Sequence, residues 1–90
     1  MSFEWNAIKA TANLRKHGVS FDEAASALFD PLSATGDDPD HSFDERRFVT
    51  FGMSSSGRVL VVAHAQHDDT IRIITARLAT RAERKLYEEG

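Results

Sequence analysis

The alternation of apolar and polar residues near the end of the chain predicts a strand that leads directly into a helix. Ile71 and Thr75 fall on one side of an extended backbone, and the β-branched residues around them favour a strand. The period then changes, and Thr80 and Glu83 have the Ser/Thr-x-x-Glu spacing of a capping box. We therefore predict a strand over residues 70–76 and a helix whose N-cap is Thr80.

Two further helices are predicted in the first third of the chain. Asn6 can cap the first helix, and Gly18 can end it after a basic last turn. The second helix should follow at once, because Ser20 and Glu23 again have capping-box spacing, and it should end near Phe29, before a proline. Its expected buried residues are Phe21, Ala24, Ala25, Leu28 and Phe29.

Short strands are predicted between and beside these helices. They are an edge strand at Phe3 to Trp5, a short strand at Leu32 to Thr35, and longer strands at residues 46–51 and 58–65. Short turns between the last three strands imply antiparallel hairpins, and the continuous apolar run 59–63 predicts a middle strand covered on both faces. The predicted fold class is α+β in a single domain, residues 1–90, with two N-terminal helices, an antiparallel sheet of three or four strands and a C-terminal helix.

Composition narrows the class of protein and of site. The chain is 41% hydrophobic, and it has no apolar run near the roughly 20 residues that span a membrane. No basic start followed by an apolar segment is visible, so we expect a cytoplasmic protein. There is no cysteine, and the four histidines lack metal-ligand spacing. We expect no metal and no cofactor.

The charge is unevenly distributed along the chain. The net charge is −3, but residues 37–45 hold five anions, whereas residues 46–90 hold eight cations and five anions. Five of these cations belong to the predicted strand and C-terminal helix: Arg72, Arg77, Arg81, Arg84 and Lys85. Each of them alone would be interpreted as a solvated surface charge. Together they indicate a basic surface held in place by a strand and a helix, and such a surface can bind phosphate groups.

The available chemistry suits RNA cleavage by internal transesterification. That reaction needs a base for the 2′-hydroxyl, cations for the phosphate and an acid for the leaving oxygen. The candidate catalytic residues are Lys16, His17, Glu45, Arg47, Arg72 and Arg77, and the candidate RNA-binding residues are Arg81, Arg84 and Lys85. Which of them are the acid and the base stays open.

Other candidate residues have simpler interpretations. The acidic loop with Asp37, Asp38, Asp40 and His41 could suggest a metal site, but the Gly and Glu positions of an EF-hand are absent, so a solvated loop is the better interpretation. His64 lies inside an apolar strand and is interpreted as a core histidine. His67, in a turn, is interpreted as solvated.

Motifs along nearly the whole chain resemble the BrnT family. These are Phe3-Glu-Trp-Asn with Lys9 and Asn13, the segment Lys16-His-Gly-Val-Ser-Phe-Asp-Glu-Ala, then Glu45-x-Arg47 with Gly52, and finally Ile71-Arg-Ile-Ile-Thr-Ala-Arg with Glu83 and Tyr87. The chain departs from the family pattern at Asn6, where Asp is usual, and at Thr75, where Ser is common. Neither change removes a candidate catalytic group.

The resemblance implies a RelE-like fold and a ribonuclease toxin of a type II toxin–antitoxin module that inhibits translation. It also implies a BrnA-type ribbon-helix-helix antitoxin, in a 2:2 or larger complex that binds operator DNA through the antitoxin. Two alternatives stay open at this point. The chain could be a catalytically inactive partner in a DNA-binding repressor complex, or an RNA-binding module that is not a toxin.

Overall fold

The fold is a five-stranded sheet with two helices packed on one face and a third helix after the last strand. The computed structural model describes residues 1–38 and 45–90. Its elements are β1 Ser2–Glu4, α1 Ala7–His17, α2 Phe21–Ala27, β2 Ala34–Asp37, β3 Arg47–Met53, β4 Val59–His67, β5 Thr70–Leu78 and α3 Arg81–Glu89. The strand order is β1-β5-β4-β3-β2. The predicted α+β class is confirmed.

The helix starts predicted from capping residues are confirmed. The Asn6 side chain accepts hydrogen bonds from the N–H groups of Ile8 at 2.9 Å and Lys9 at 3.1 Å. Gly18 ends α1 in the left-handed region, with φ 69°, and its N–H reaches the Leu14 carbonyl. At α3 both halves of the capping box form, and Thr80 is the N-cap. Local sequence therefore sets where α1 and α3 begin.

Helix α2 differs from its prediction in two ways. Ser20 caps it through the Glu23 N–H at 3.0 Å, but the Glu23 carboxylate turns away to Arg58, so only half of the predicted capping box exists. The helix also ends at Ala27 instead of Phe29, because the next three N–H groups bond carbonyls three residues back and tighten the last turn. Phe29 is exposed, and its ring meets the Phe3 ring edge-on with centroids 5.5 Å apart.

The sheet has five strands, which exceeds the predicted three or four. The hairpins β3–β4 and β4–β5 are antiparallel as predicted. The edge strand β1 forms, and it pairs parallel to β5. The predicted strand at residues 32–35 lies two residues later, as β2, because Leu32 and Ser33 belong to a turn closed by Asp30. Strand β2 pairs with β3 and forms the other edge.

The core lies between the sheet and helices α1 and α2. Its buried apolar residues are Val19, Phe21, Ala24, Ala27, Leu60, Val62, Ile73 and Ala76. On β4, residues 59–62 are all buried and residue 63 is partly buried, so the middle strand is covered on both faces as predicted. Within the described residues, no helix has the length and apolar character needed to cross a membrane.

Gly52 allows α2 to lie close to β3. A Cβ built on Gly52 would stand 2.4 Å from the carbonyl oxygen of Ala27 and 3.3 Å from the Cβ of Ser33. A distance of 2.4 Å is far below van der Waals contact, so only glycine fits without moving the backbone. The end of α2 is thereby pressed against the strand that begins at Arg47.

Candidate active site

The strand register gathers several predicted site residues on the sheet face opposite α1 and α2. Six side chains form two rows of register partners: Arg47, Ala65 and Arg72 in one, and Phe51, Val61 and Arg77 in the other. The intervening β4 residues Val62 and His64 face the helices, since their partners Ala76 and Ile73 belong to the core. The rows are four residues apart on β4, or about 13 Å at strand spacing.

One carboxylate joins two arginines in the first row. Arg72 donates from Nη2 to Oε1 of Glu45, and Nε of Arg47 lies 3.7 Å from the same oxygen. The three side chains are between 30% and 44% exposed, so solvent and a ligand can reach them. Because one carboxylate balances one guanidinium, the cluster keeps a net charge of +1. It can therefore accept a phosphate.

Lys16 and His17 border this face from the edge of β5. Strand β1 pairs only with residues 70–72, so the later part of β5 has no strand on that side. There, a niche of about 260 Å³ is lined by Lys9, Ala12, Asn13, Lys16, His17, Ile74 and Thr75. Thr75 is the register partner of Ala63, on the same side of the sheet as Arg72 and Arg77. Through Thr75, the niche reaches the edge of the sheet face that carries the arginine rows.

Lys9 was not among the predicted site residues. It precedes Lys16 by seven positions, two turns along α1, and both lysines line the niche. That seven-residue spacing, visible in the sequence, places both lysines on one face of α1. With Lys9 included, two ammonium groups and one imidazole surround the niche.

Asn13 holds α1 against β5 beside the niche. It is buried, and its Nδ2 donates to the carbonyl oxygens of Val19 at 2.9 Å and Ala76 at 2.8 Å, while Oδ1 accepts from the Ala76 N–H at 3.2 Å. The side-chain amide thus substitutes for a neighbouring strand at Ala76. This places the Lys16 turn next to the strand that carries Arg77.

Arg77 forms a bidentate ion pair with Glu83 of α3. Its two terminal nitrogens donate to Glu83 at 2.7 and 2.9 Å, and Nη1 also reaches the Leu78 carbonyl at 3.2 Å. The hydrogen bond to Glu83 raises the pKa of Arg77 above its usual value. Arg77 joins β5 to α3, and its side chain stays 43% exposed on the sheet face.

The predicted RNA-binding residues lie in a separate groove. This basic groove, of about 800 Å³, is lined by Met53, Gly57, Arg58, Val59, Leu78, Ala79, Arg81, Arg84, Lys85 and Glu88. Among the described residues, Arg81, Arg84 and Lys85 form no ion pair. Glu45 does not line this groove, so the structure does not bring Arg81, Arg84 and Lys85 together with Glu45.

Arg58 is a groove residue that the sequence did not reveal. Its Nε donates to Glu23 Oε2 at 2.9 Å, Nη2 reaches the other oxygen of Glu23, and Nη2 also donates to the Gly18 carbonyl at 3.0 Å. Ser54 donates to the same carboxylate at 2.7 Å. The hydrogen bond from Arg58 is the main cause that lowers the pKa of Glu23. This network ties the β3–β4 turn to α2, and only the fold brings its members together.

The remaining histidines and acidic residues lie apart from this face or outside the described part of the chain. His64 is buried in the core, where its Nε2 is 2.8 Å from the Thr50 hydroxyl, and burial lowers its pKa. His67 is exposed. Of the acidic loop, Asp37 pairs with Arg46 at 3.0 Å, whereas Asp40 and His41 lie outside the described residues.

Comparison with known proteins places the chain in a family. The sequence model for "Ribonuclease toxin, BrnT, of type II toxin-antitoxin system" matches residues 5–83. The chain belongs to the BrnT family. BrnT family members are ribonuclease toxins of type II toxin–antitoxin systems, which implies an RNA substrate and an antitoxin partner.

A solved BrnT structure has the same fold. The 1.1 Å crystal structure of the Brucella abortus ribonuclease toxin BrnT is 19% identical to this chain, with a TM-score of 0.65. The match covers 90% of this chain and 99% of the Brucella chain. Among curated protein sequences there is no match.

Proposed function

We propose that this BrnT family chain is an endoribonuclease toxin that cleaves RNA without a metal ion and thereby inhibits translation. The observation that carries the proposal is the partly exposed Glu45 carboxylate shared by Arg47 and Arg72 on the sheet face opposite α1 and α2. Residues from the start of β3 and from β5 converge there. They supply fixed positive charge and a proton acceptor within one cluster.

This cluster fits the requirements of internal transesterification. The base removes the 2′-hydroxyl proton, the 2′-oxygen bonds to the adjacent phosphorus, the bond from phosphorus to the 5′-oxygen breaks, and an acid protonates that oxygen. The products are a 2′,3′-cyclic phosphate and a 5′-hydroxyl. Arg47 and Arg72 stabilise the pentacoordinate phosphate, as guanidinium groups match phosphate oxygens in a bidentate way. These charges fill the role that a metal ion fills in other nucleases.

The proton-transfer roles fall to Glu45 and His17. Glu45 is the carboxylate already in contact with both arginines, and His17 is the imidazole at the edge of the same face. Lys16, beside His17, adds a cation to the niche, and Arg77 adds a partly exposed guanidinium on the face itself. All six predicted catalytic residues thus have a place in the proposal.

The partner of the toxin in this proposed function is an antitoxin. The antitoxin is a BrnA-type ribbon-helix-helix protein, which forms a dimer, so the complex contains at least two copies of each chain and binds operator DNA through the antitoxin. Both proteins act in the cytoplasm. Affinity purification of the tagged toxin from co-expressing cells, followed by light scattering, should give the mass of a 2:2 or larger complex. A stable 1:1 complex would contradict this stoichiometry.

Induction of the toxin without antitoxin tests the function. Wild-type protein should stop growth and amino-acid incorporation, whereas Arg72→Ala should permit both at equal expression. Arg15→Ala is the matched control, because Arg15 is an exposed arginine on α1 that lines neither the niche nor the groove. Normal growth with soluble, folded wild-type protein would instead favour a catalytically inactive partner in a repressor complex.

A further inference from the structure

The basic groove beside α3 carries charge that the domain does not neutralise. It contains four cations, Arg58, Arg81, Arg84 and Lys85, and one anion, Glu88. Arg58 is paired with Glu23, but the three cations of α3 have no ion pair among the described residues. All three are exposed to solvent. The groove can therefore bind a polyanion.

The walls of the groove suit a nucleic-acid strand better than an isolated phosphate. Met53 and Leu78 line it and are 42% and 44% exposed, although both are large apolar residues. Apolar surface beside cations can hold the flat faces of bases while the cations hold the backbone. The described lining contains no aromatic residue, so contacts to the backbone should dominate over base selection.

The groove and the Glu45 cluster lie at opposite ends of β4. Val59 lines the groove, and Ala65 is the register partner of Arg47 and Arg72. These two β4 residues are six steps apart, which is about 20 Å at strand spacing. They point to the same face, since they are separated by an even number of residues. A single strand of RNA can therefore contact both the groove and the Glu45 cluster.

We infer that the basic groove is a second RNA-binding site, which holds the backbone of a single-stranded substrate a few nucleotides from the phosphate that is cleaved. A span of about 20 Å corresponds to at most about six nucleotides at a rise of roughly 3.4 Å each. The inference rests on the proposed function, because it takes the Glu45 cluster as the place of reaction. It makes cleavage depend on substrate length.

The test compares a long and a short substrate that share one cleavage step. The first probe is a single-stranded RNA of about 12 nucleotides, which spans both sites. The second probe is the dinucleotide at which this longer RNA is cleaved. Wild-type protein should have the higher kcat/KM on the longer RNA. In Arg84→Ala/Lys85→Ala this preference should fall about five- to tenfold, mainly through KM, because two exposed phosphate contacts are lost.

Binding of the longer RNA gives a second readout that does not depend on cleavage. For single strands, the logarithm of the binding constant falls with the logarithm of salt concentration by about 0.7 for each phosphate contact. The double variant should therefore lose about 1.4 from this slope. Arg15→Ala should keep the slope and the length preference of the wild type.

The outcomes separate this inference from the proposed function. Equal losses on both substrates, or an unchanged salt slope, would overturn the groove as an RNA site. Loss of antitoxin binding with the length preference intact would assign the groove to an acidic protein partner and would also overturn it. If Arg72→Ala cleaves the dinucleotide as well as wild type while the groove variant loses its preference, the reaction centre is misplaced and the groove stands.

Discussion

The guanidinium of Arg77 donates hydrogen bonds to both carboxylate oxygens of Glu83, at 2.7 and 2.9 Å. The same carboxylate accepts the Thr80 N–H at 2.8 Å, so one side chain both caps α3 and ties it to β5. The pKa of Glu83 is lowered to about 2, first by Arg77 and then by the helix-capping contacts, against the cost of burial. The orientation of the basic helix therefore depends on an ionised Glu83.

Acid should weaken the contact between Glu83 and Arg77. The pKa of Glu83 in the folded state is below its ordinary value of 4.5, so the stability it contributes is present above about pH 4.5 and is lost as pH falls towards 2. Glu83→Gln should unfold more easily at pH 7 and should lose less further stability between pH 4.5 and 3. Denaturant unfolding at these pH values measures both effects. An identical acid loss in wild type and variant would contradict the role of Glu83.

The close approach of α2 to β3 should make Gly52 intolerant of a side chain. Gly52→Ala places a Cβ 2.4 Å from the Ala27 carbonyl, so the backbone must move, at a cost of about 1–3 kcal/mol of unfolding free energy. Gly36→Ala is the matched control, since its Cβ would meet nothing within 4 Å. In thermal unfolding, Gly52→Ala should have a lower midpoint than Gly36→Ala. Equal midpoints would mean that the contact at Ala27 is not tight.

The N-cap hydroxyls should contribute measurably to stability. Ser20→Ala and Thr80→Ala each remove an acceptor for the Glu23 or Glu83 N–H, which should cost about 0.5–2 kcal/mol. Ser55→Ala, in the exposed β3–β4 turn, should change little. The quantity to compare is the midpoint of urea denaturation. Unmoved midpoints for the two cap variants would show that other groups satisfy these helix starts.

Buried His64 should make the domain sensitive to mild acid. Its ring contacts the Thr50 hydroxyl and stacks near Phe48, and its Nδ1 has no hydrogen-bond partner among the described residues. Burial lowers its pKa below the ordinary 6.5, so the unfolded chain binds the proton first and stability falls as pH drops below about 6.5.

Replacement of His64 isolates that contribution. His64→Gln keeps a polar group near Thr50 but does not titrate, so the loss of unfolding free energy between pH 7.5 and 5.5 should be smaller than in wild type. The control is His67→Gln, because His67 is solvent-exposed, and its acid loss should match that of wild type. If His64→Gln shows the full loss, the acid sensitivity arises from other groups.

Local signals in the sequence were sufficient for the helix starts and the hairpins. Asn6, Ser20 and Thr80 cap helices where expected, because a cap involves only residues three or four positions apart. The parallel pairing of β1 with β5 joins Phe3 to Ile71, and no local pattern encodes that choice. The end of α2 at Ala27 differs from the prediction because hydrogen bonds to carbonyls three residues back tighten the last turn, and Phe29 lies beyond the helix, where its ring contacts Phe3.

The candidate site was predicted by residue type, and its arrangement came only from the fold. Sequence indicated Glu45, Arg47 and Arg72, but their meeting depends on the register of three strands. It also indicated Arg77 without its partner Glu83, because the bidentate pair requires α3 to turn back on β5. Arg58 stayed hidden because its partner Glu23 is 35 positions away.

Cleavage of RNA by the purified toxin in the presence of EDTA tests the central claim most directly. Wild-type protein should cleave and leave 2′,3′-cyclic phosphate and 5′-hydroxyl ends. Arg72→Ala should lower kcat by about 100-fold, as loss of a donor to a developing negative charge does in other enzymes, while circular dichroism stays native. Cleavage that stops in EDTA and returns with Mg²⁺, or full activity of Arg72→Ala, would contradict a metal-independent reaction at the Glu45 cluster.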